Sequence, residues 1–250
     1  VVRIYADVLF AMFGPGMPYL IKGLGCTLIG RHEQRIKVFL EGSVIWGDRV
    51  RRLTGTRIVR FGQIDCPESG HLILLNHVNE MDFAFDSLVV HKAYLANEAI
   101  KRTLFAYWWM RGMGSQVFDH RQARSIPASV RGLVAGLARH SYIVYPEGGN
   151  SYGEQIRPLR KGMLKVAFDN RIPVYVVLKS GMAAFQERQR DNVIGYTGLG
   201  TVQPADFPTW TAFRDHIHAL MSSEKPLLDE RVRMESQAAT AVTAFQTASG

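Results

Sequence analysis

HLILLNHVNEMD, His71 to Asp82, decides how this chain is read. Its apolar run, Leu72-Ile73-Leu74-Leu75, is short and bounded by polar residues, which predicts a buried strand. Asn76 and His77 stand at the strand's exit, and Asp82 follows five positions after His77. A histidine at a strand mouth with a carboxylate one turn further on has the chemistry of a general base and its orienting partner. A lone His/Asp pair is more often a capping or surface pair. The reading therefore rests on what the rest of the chain brings to the same place.

The composition sets bounds. With 250 residues, 47% of them hydrophobic, the chain can bury a substantial core. Its net charge is +8, which suits anionic lipid, nucleic acid or acidic small molecules. The basic residues are scattered (Arg49 to Arg52, Lys101-Arg102, Arg157 to Lys161, Arg188 to Arg190) and no nucleic-acid-binding signature accompanies them. No nucleic-acid partner is expected. The two cysteines, Cys26 and Cys66, form neither a CxxC pair nor a disulfide framework, which points to a reducing compartment. No metal site is expected: His216 and His218 sit two apart in a predicted helix and face different ways.

Residues 1–52 read as an N-terminal arm. Val8 to Ile21 is uncharged, but Gly14-Pro15-Gly16 and Pro18 break it, and a bilayer span needs about 20 residues. Two short apolar helices joined by a bend are expected. Gln34 to Leu53 alternates apolar residues, Trp46 among them, with arginine and lysine, as an interfacial membrane helix does. Packing on its own domain is the alternative. Strand and helix then alternate, with strands at Thr54–Ile64, Tyr94–Ala96, Gln116–Phe118, Tyr142–Tyr145 and Val174–Leu178. This predicts an α/β fold, a mixed, mostly parallel sheet flanked by helices, over residues 53–225. Gly195 to Gly200, GYTGLG, reads as a turn, and residues 226–250 as a helical tail.

In an open α/β sheet, ligands gather at the carboxyl ends of the strands. Three predicted strand ends carry His77, Arg121 and Glu147. Glu147-Gly148-Gly149 suits a loop that lets a substrate approach the backbone. Arg157, Arg160 and Lys161 behind it could neutralise a phosphate.

Four blocks in order resemble the glycerophospholipid acyltransferases typified by lysophosphatidic acid acyltransferase. The N-H-x4-D motif is matched by Asn76-His77 to Asp82. The Phe-x-x-Arg motif after a glycine is matched by Gly114 and Phe118 to Arg121. Phe-Pro-Glu-Gly-Thr-Arg-Ser is matched by Tyr145-Pro146-Glu147-Gly148-Gly149-Asn150-Ser151, and the apolar strand opened by Ile-Pro by Ile172-Pro173-Val174. The resemblance spans residues 56–204. It implies a membrane-associated enzyme at the cytoplasmic face. This enzyme moves an acyl chain from acyl-CoA or acyl carrier protein to a lysophospholipid hydroxyl, most simply that of 1-acylglycerol 3-phosphate, with no further cofactor. His77 and Asp82 would be catalytic. Asn76, Arg121, Glu147, Gly148, Gly149 and Arg157 would bind substrate.

The chain departs from the pattern at Gly149-Asn150, where the family has Thr-Arg, and at Asn97, where a lysine often stands. Its fourth block lacks a second proline, having Tyr175-Val176 there. The first departure leaves open an acceptor without a phosphomonoester. Gly149-Asn150-Ser151-Tyr152-Gly153 also fits G-x-S-x-G, the elbow of serine hydrolases, although no apolar helix follows it. A non-catalytic lipid-binding protein is the remaining alternative.

Overall fold

The computed structural model describes Phe10 and residues 14–118, 126–188 and 191–248. The run Leu72–Leu75 is strand β2, and all four of its residues are buried. Successive side chains in a strand point to opposite faces. Here Leu72 and Leu74 enter one apolar layer while Ile73 and Leu75 enter the other. Burial on both faces marks the interior of a sheet covered by helices.

The other strands are β1 (Arg57–Arg60), β3 (Ala93–Asn97), β4 (Gln116–Phe118), β5 (Tyr142–Val144), β6 (Val174–Ser180) and β7 (Val193–Val202). They form one sheet in the order β1-β7-β6-β2-β5-β3-β4. Strands β6, β2, β5, β3 and β4 run parallel, and β7 returns antiparallel to β6 with β1 parallel to it. The α/β class with a mixed, mostly parallel sheet is thus the observed one.

One correction concerns GYTGLG. It lies within β7 and is no turn. Its glycines fit close approaches: a Cβ at Gly195 would meet Val232 and Phe61, and one at Gly198 would meet the Tyr175 hydroxyl. Gly200 has φ +91°, and β6 carries a register shift at Val176/Val177 opposite this region. Glycine accepts all three demands.

The helices are α1 (Met17–Leu28), α2 (His32–Leu53), α3 (Asp82–Val89), α4 (Leu104–Gly112), α5 (Ile126–Leu137), α6 (Lys161–Asp169), α7 (Met182–Arg188) and α8 (Trp210–Ala248). Leu133, Leu164, Phe213 and Ile217 of α5, α6 and α8 fill one layer. Phe39, Phe85, Trp109 and Phe185 of α2, α3, α4 and α7 fill the other.

Of the two short apolar helices expected around Gly14 to Pro18, the second is α1, which starts at Met17; the first lies outside the described residues apart from Phe10. Helix α2 buries Val38, Phe39, Gly42, Gly47 and Val50 against the domain. Much of α1 stays uncovered, with Leu28 87% and Ile21 64% exposed. Among the described residues no helix is long and apolar enough to cross a membrane. Helix α8 is continuous through Pro226, so the expected tail is the second half of one helix.

Gly47 lets α2 cross directly over α3, because a Cβ there would fall inside the Ala84 carbonyl oxygen. Gly47→Ala should cost about 1–3 kcal/mol of stability, read as a lower midpoint in urea unfolding at unchanged slope.

Candidate active site

Strand β2 delivers Asn76 and His77 to the carboxyl edge of the sheet. The side-chain oxygen of Asn79 accepts the Met81 N–H (2.9 Å), turning the chain into α3 with Asp82 in its first turn. His77 Nδ1 lies 2.7 Å from Asp82 Oδ2. A carboxylate only accepts, so Nδ1 carries a proton, and in the neutral ring Nε2 is the atom that keeps its lone pair. The Val78 N–H also donates to Oδ2 (2.7 Å). The His77 ring stacks on Tyr145, with centroids 4.0 Å apart and planes 7° from parallel. The ring's position and tilt are therefore fixed from two sides.

Glu147 leaves β5 beside His77. Its Oε1 accepts the His77 N–H (2.9 Å) and its Oε2 the Arg157 N–H (2.8 Å). Burial pushes its pKa up, against the pull of these two donors. Gly148 follows at φ +68°, and a Cβ there would strike the Arg160 stem. The Ser151 and Tyr152 N–H groups donate to the His77 and Val78 carbonyls (2.9 and 3.0 Å). The first and third blocks are thus laced together through backbone.

The residues expected from sequence fall as follows. Asn76, His77, Asp82, Glu147, Gly148, Gly149 and Arg157 are brought to one end of the sheet. Arg121 lies outside the described residues. Asn76 is placed differently from a substrate ligand. It is buried, and its amide bridges the Lys179 backbone, donating to the carbonyl (3.1 Å) and accepting the N–H (2.9 Å). Glu147 likewise has both oxygens on backbone donors. The Arg157 guanidinium donates to the Asn150 carbonyl (2.7 Å) on an exposed surface. The Asn150 amide donates to Glu80 Oε1 (2.6 Å), and the Tyr152 hydroxyl to the same oxygen (3.1 Å). Residues 151–160 form no helix, and Ser151 Oγ donates to the Gly153 carbonyl (2.7 Å). The strand-to-helix geometry of a hydrolase elbow is absent there.

Sequence reasoning missed Lys179 and Asp86. Lys179 Nζ sits 2.9 Å from Asp82 Oδ2 and 2.7 Å from Asp86 Oδ2, and all three side chains are 0% exposed. The Tyr145 and Tyr196 hydroxyls donate to Asp86 (2.7 and 2.8 Å). Burial raises Asp82, but Lys179 and then His77 outweigh it and hold the pKa below the usual carboxylate value. Burial lowers Lys179, and the two aspartates more than offset it. The signal was a lone lysine closing an apolar strand and a second aspartate one helical turn past Asp82.

A cleft of about 860 Å³ lies at the opposite, amino end of the strands, lined by Glu33, Lys37, Cys66, Lys92 and His140 among others. It holds none of the residues above. Burial pushes the Cys66 thiol there up to about 11. Among the described residues no three His, Cys, Asp or Glu side chains gather as a metal requires.

Residues 51–179 match the acyltransferase family, and the chain belongs to it. The fold is similar to the crystal structure of the 1-acyl-sn-glycerophosphate (LPA) acyltransferase PlsC from Thermotoga maritima. The TM-score is 0.69 at 19% identity, covering 91% of this chain and 96% of that one. No curated protein matches the chain.

Glu147→Gln should place an amide NH2 against one of the two backbone donors. A loss of roughly 1–3 kcal/mol is expected, together with reduced activity, checked by thermal unfolding and initial rates.

Proposed function

We propose that the protein transfers a fatty acyl chain from acyl-CoA or acyl carrier protein to the free hydroxyl of a lysophospholipid. The acceptor proposed is 1-acylglycerol 3-phosphate and the product phosphatidic acid. The observation that carries the reading is the buried Asp82 carboxylate on His77 Nδ1 (2.7 Å), which leaves Nε2 as the basic atom. Nε2 takes the acceptor's hydroxyl proton as that oxygen attacks the thioester carbonyl. The tetrahedral intermediate collapses with cleavage of the C–S bond, and the imidazolium returns the proton to the departing thiolate. Asp82 stabilises the imidazolium in between. The substrate hydroxyl is the nucleophile, so no acyl-enzyme forms. A purely lipid-binding protein would have no use for an oriented base.

Arg121 and Arg157 are the proposed phosphate ligands. A second reading has one observation in its favour. Glu80, paired with Asn150 and Tyr152, puts a carboxylate next to the position where the family pattern has arginine. A carboxylate there disfavours a phosphate dianion and suits a hydroxyl- or ammonium-bearing head group. Lysolipid acceptors offered with radiolabelled acyl-CoA separate the two. Turnover of 1-acylglycerol 3-phosphate that disappears in His77→Ala and survives in Ser151→Ala is expected. Turnover confined to acceptors without a phosphomonoester would move the assignment to the second reading. Loss of activity in Ser151→Ala with His77→Ala intact would point to a serine hydrolase instead.

The uncovered face of α1 is the proposed membrane contact on the cytoplasmic leaflet. Ile21, Leu24, Leu28 and Ile29 are each more than half exposed, with Lys22 and Arg31 beside them. Leu24→Glu with Leu28→Glu should reduce flotation with anionic vesicles while leaving turnover of a short-chain, water-soluble acceptor in place.

A further inference from the structure

We propose that Asp86 and Lys179 act together as positioning residues for His77, with Lys179 pinning Asp82 and Asp86 restoring the negative charge that Lys179 would otherwise cancel. The inference rests on the reading of His77 as the base. Residues 174–180 alternate across the sheet, so Lys179 shares a face with Tyr175 and Val177 and points at α3. Asp82 and Asp86 lie one helical turn apart on α3 and meet the same ammonium.

The cluster's charge depends on Asp86. Burial presses its pKa upward over the pull of Lys179, and Asp82 adds to the rise. Three donors converge on its two oxygens, from Lys179, Tyr145 and Tyr196, and they favour the carboxylate. Both tyrosines keep their protons, because burial and then Asp86 raise them well above the usual phenol value. With His77 neutral and Asp86 held as the carboxylate by these donors, the buried set of Asp82, Asp86 and Lys179 carries one net negative charge. When the ring takes a proton the set becomes neutral. Without Asp86, Lys179 would cancel Asp82, and the imidazolium would form with no net counter-charge. The Tyr145 hydroxyl belongs to this device: it stands where the family pattern has phenylalanine, stacks on His77 and holds Asp86.

Among the described residues, the charged groups named near the base are committed elsewhere. Glu147 meets the His77 backbone N–H and not the ring. Glu80 is engaged with Asn150 and Tyr152, and the Arg157 guanidinium with the Asn150 carbonyl. On the far side of α3, Arg60 donates to the Leu88 carbonyl.

The test is an NMR titration of the His77 ring in the full chain, beside the acid limb of kcat/KM. In Asp86→Asn an anion near the base is lost, so both midpoints should move to lower pH by roughly half a unit or more. The plateau of kcat should fall as the base weakens. A merely structural role lowers the folded fraction and leaves the midpoints in place. If Asp86→Asn does not fold, Tyr196→Phe carries the test. It removes one of the donors that favour the Asp86 carboxylate, so Asp86 takes up a proton more readily and the midpoints move the same way by less. Unmoved or raised midpoints in the folded variant overturn the proposal, with His77→Ala still inactive. Activity surviving in His77→Ala overturns the assignment of the base itself.

Discussion

One oxygen, Oδ2 of Asp82, receives the His77 ring, the Val78 N–H and the Lys179 ammonium, and the arrangement of β2, α3 and β6 turns on that convergence. Taking a carboxylate and an ammonium out of water is costly, and a buried ion pair is seldom a better source of stability than apolar packing of equal volume. The layer around Lys179 is otherwise apolar, built from Phe85, Val177, Ile194 and their neighbours. A charge cluster there is therefore better understood through what it orients. It fixes the ring by its Nδ1 edge while Tyr145 fixes it by its face, so rotation of His77 would disturb both contacts at once.

The topology explains why the first and third blocks meet. Strands β5, β2 and β6 are parallel neighbours, so the chain leaves all three at the same edge. His77, Glu147 and Lys179 are consequences of that shared direction. Backbone then finishes the work. Glu147 caps the His77 N–H, Asn76 ties β2 to β6, and the Ser151 and Tyr152 N–H groups run along residues 77 and 78. Residues whose types suggested substrate contact are used to hold His77 and the loop beside it. A site held by main-chain hydrogen bonds on strand ends loses little precision to side-chain motion.

How much of this was legible follows from which forces leave a pattern in one dimension. Leu72 to Leu75 announced a central strand because burial on both faces leaves no alternation. His77 and Asp82 were legible because a short, local spacing links them. Strand β7 was not, because its glycines imitate a turn. They answer to partners far along the chain: Phe61, Tyr175 and Val232. Lys179 was hidden for the related reason that a charge at a strand's end reads as the place where burial stops. Its partners lie 93 and more positions away, and no sequence period connects them. Helix α2 had the composition of an interfacial segment, yet its apolar stripe is spent on α3 and α4. Of these two helices, α1 is the one that keeps an uncovered apolar face, at Ile21, Leu24 and Leu28.

The substrate's head group depends on a different scale of electrostatics. The net charge of +8 acts over a Debye length and favours approach to anionic lipid and acidic acyl donors alike. It cannot choose among lysolipids, since every candidate acceptor reaches the same surface. Choice needs contacts at hydrogen-bond distance, and the proposed ones near His77 are Glu80, Asn150, Tyr152 and the Arg157 side chain. On the proposed reading, phosphate recognition must come from arginine. Arg157 already donates to the Asn150 carbonyl, so binding a phosphate would exchange one hydrogen bond for another rather than add one. Glu80 sits on that same Asn150. On that reading the Gly149-Asn150 departure changes both the cation supply and the local sign of charge, and acceptor preference is the property it would govern most directly.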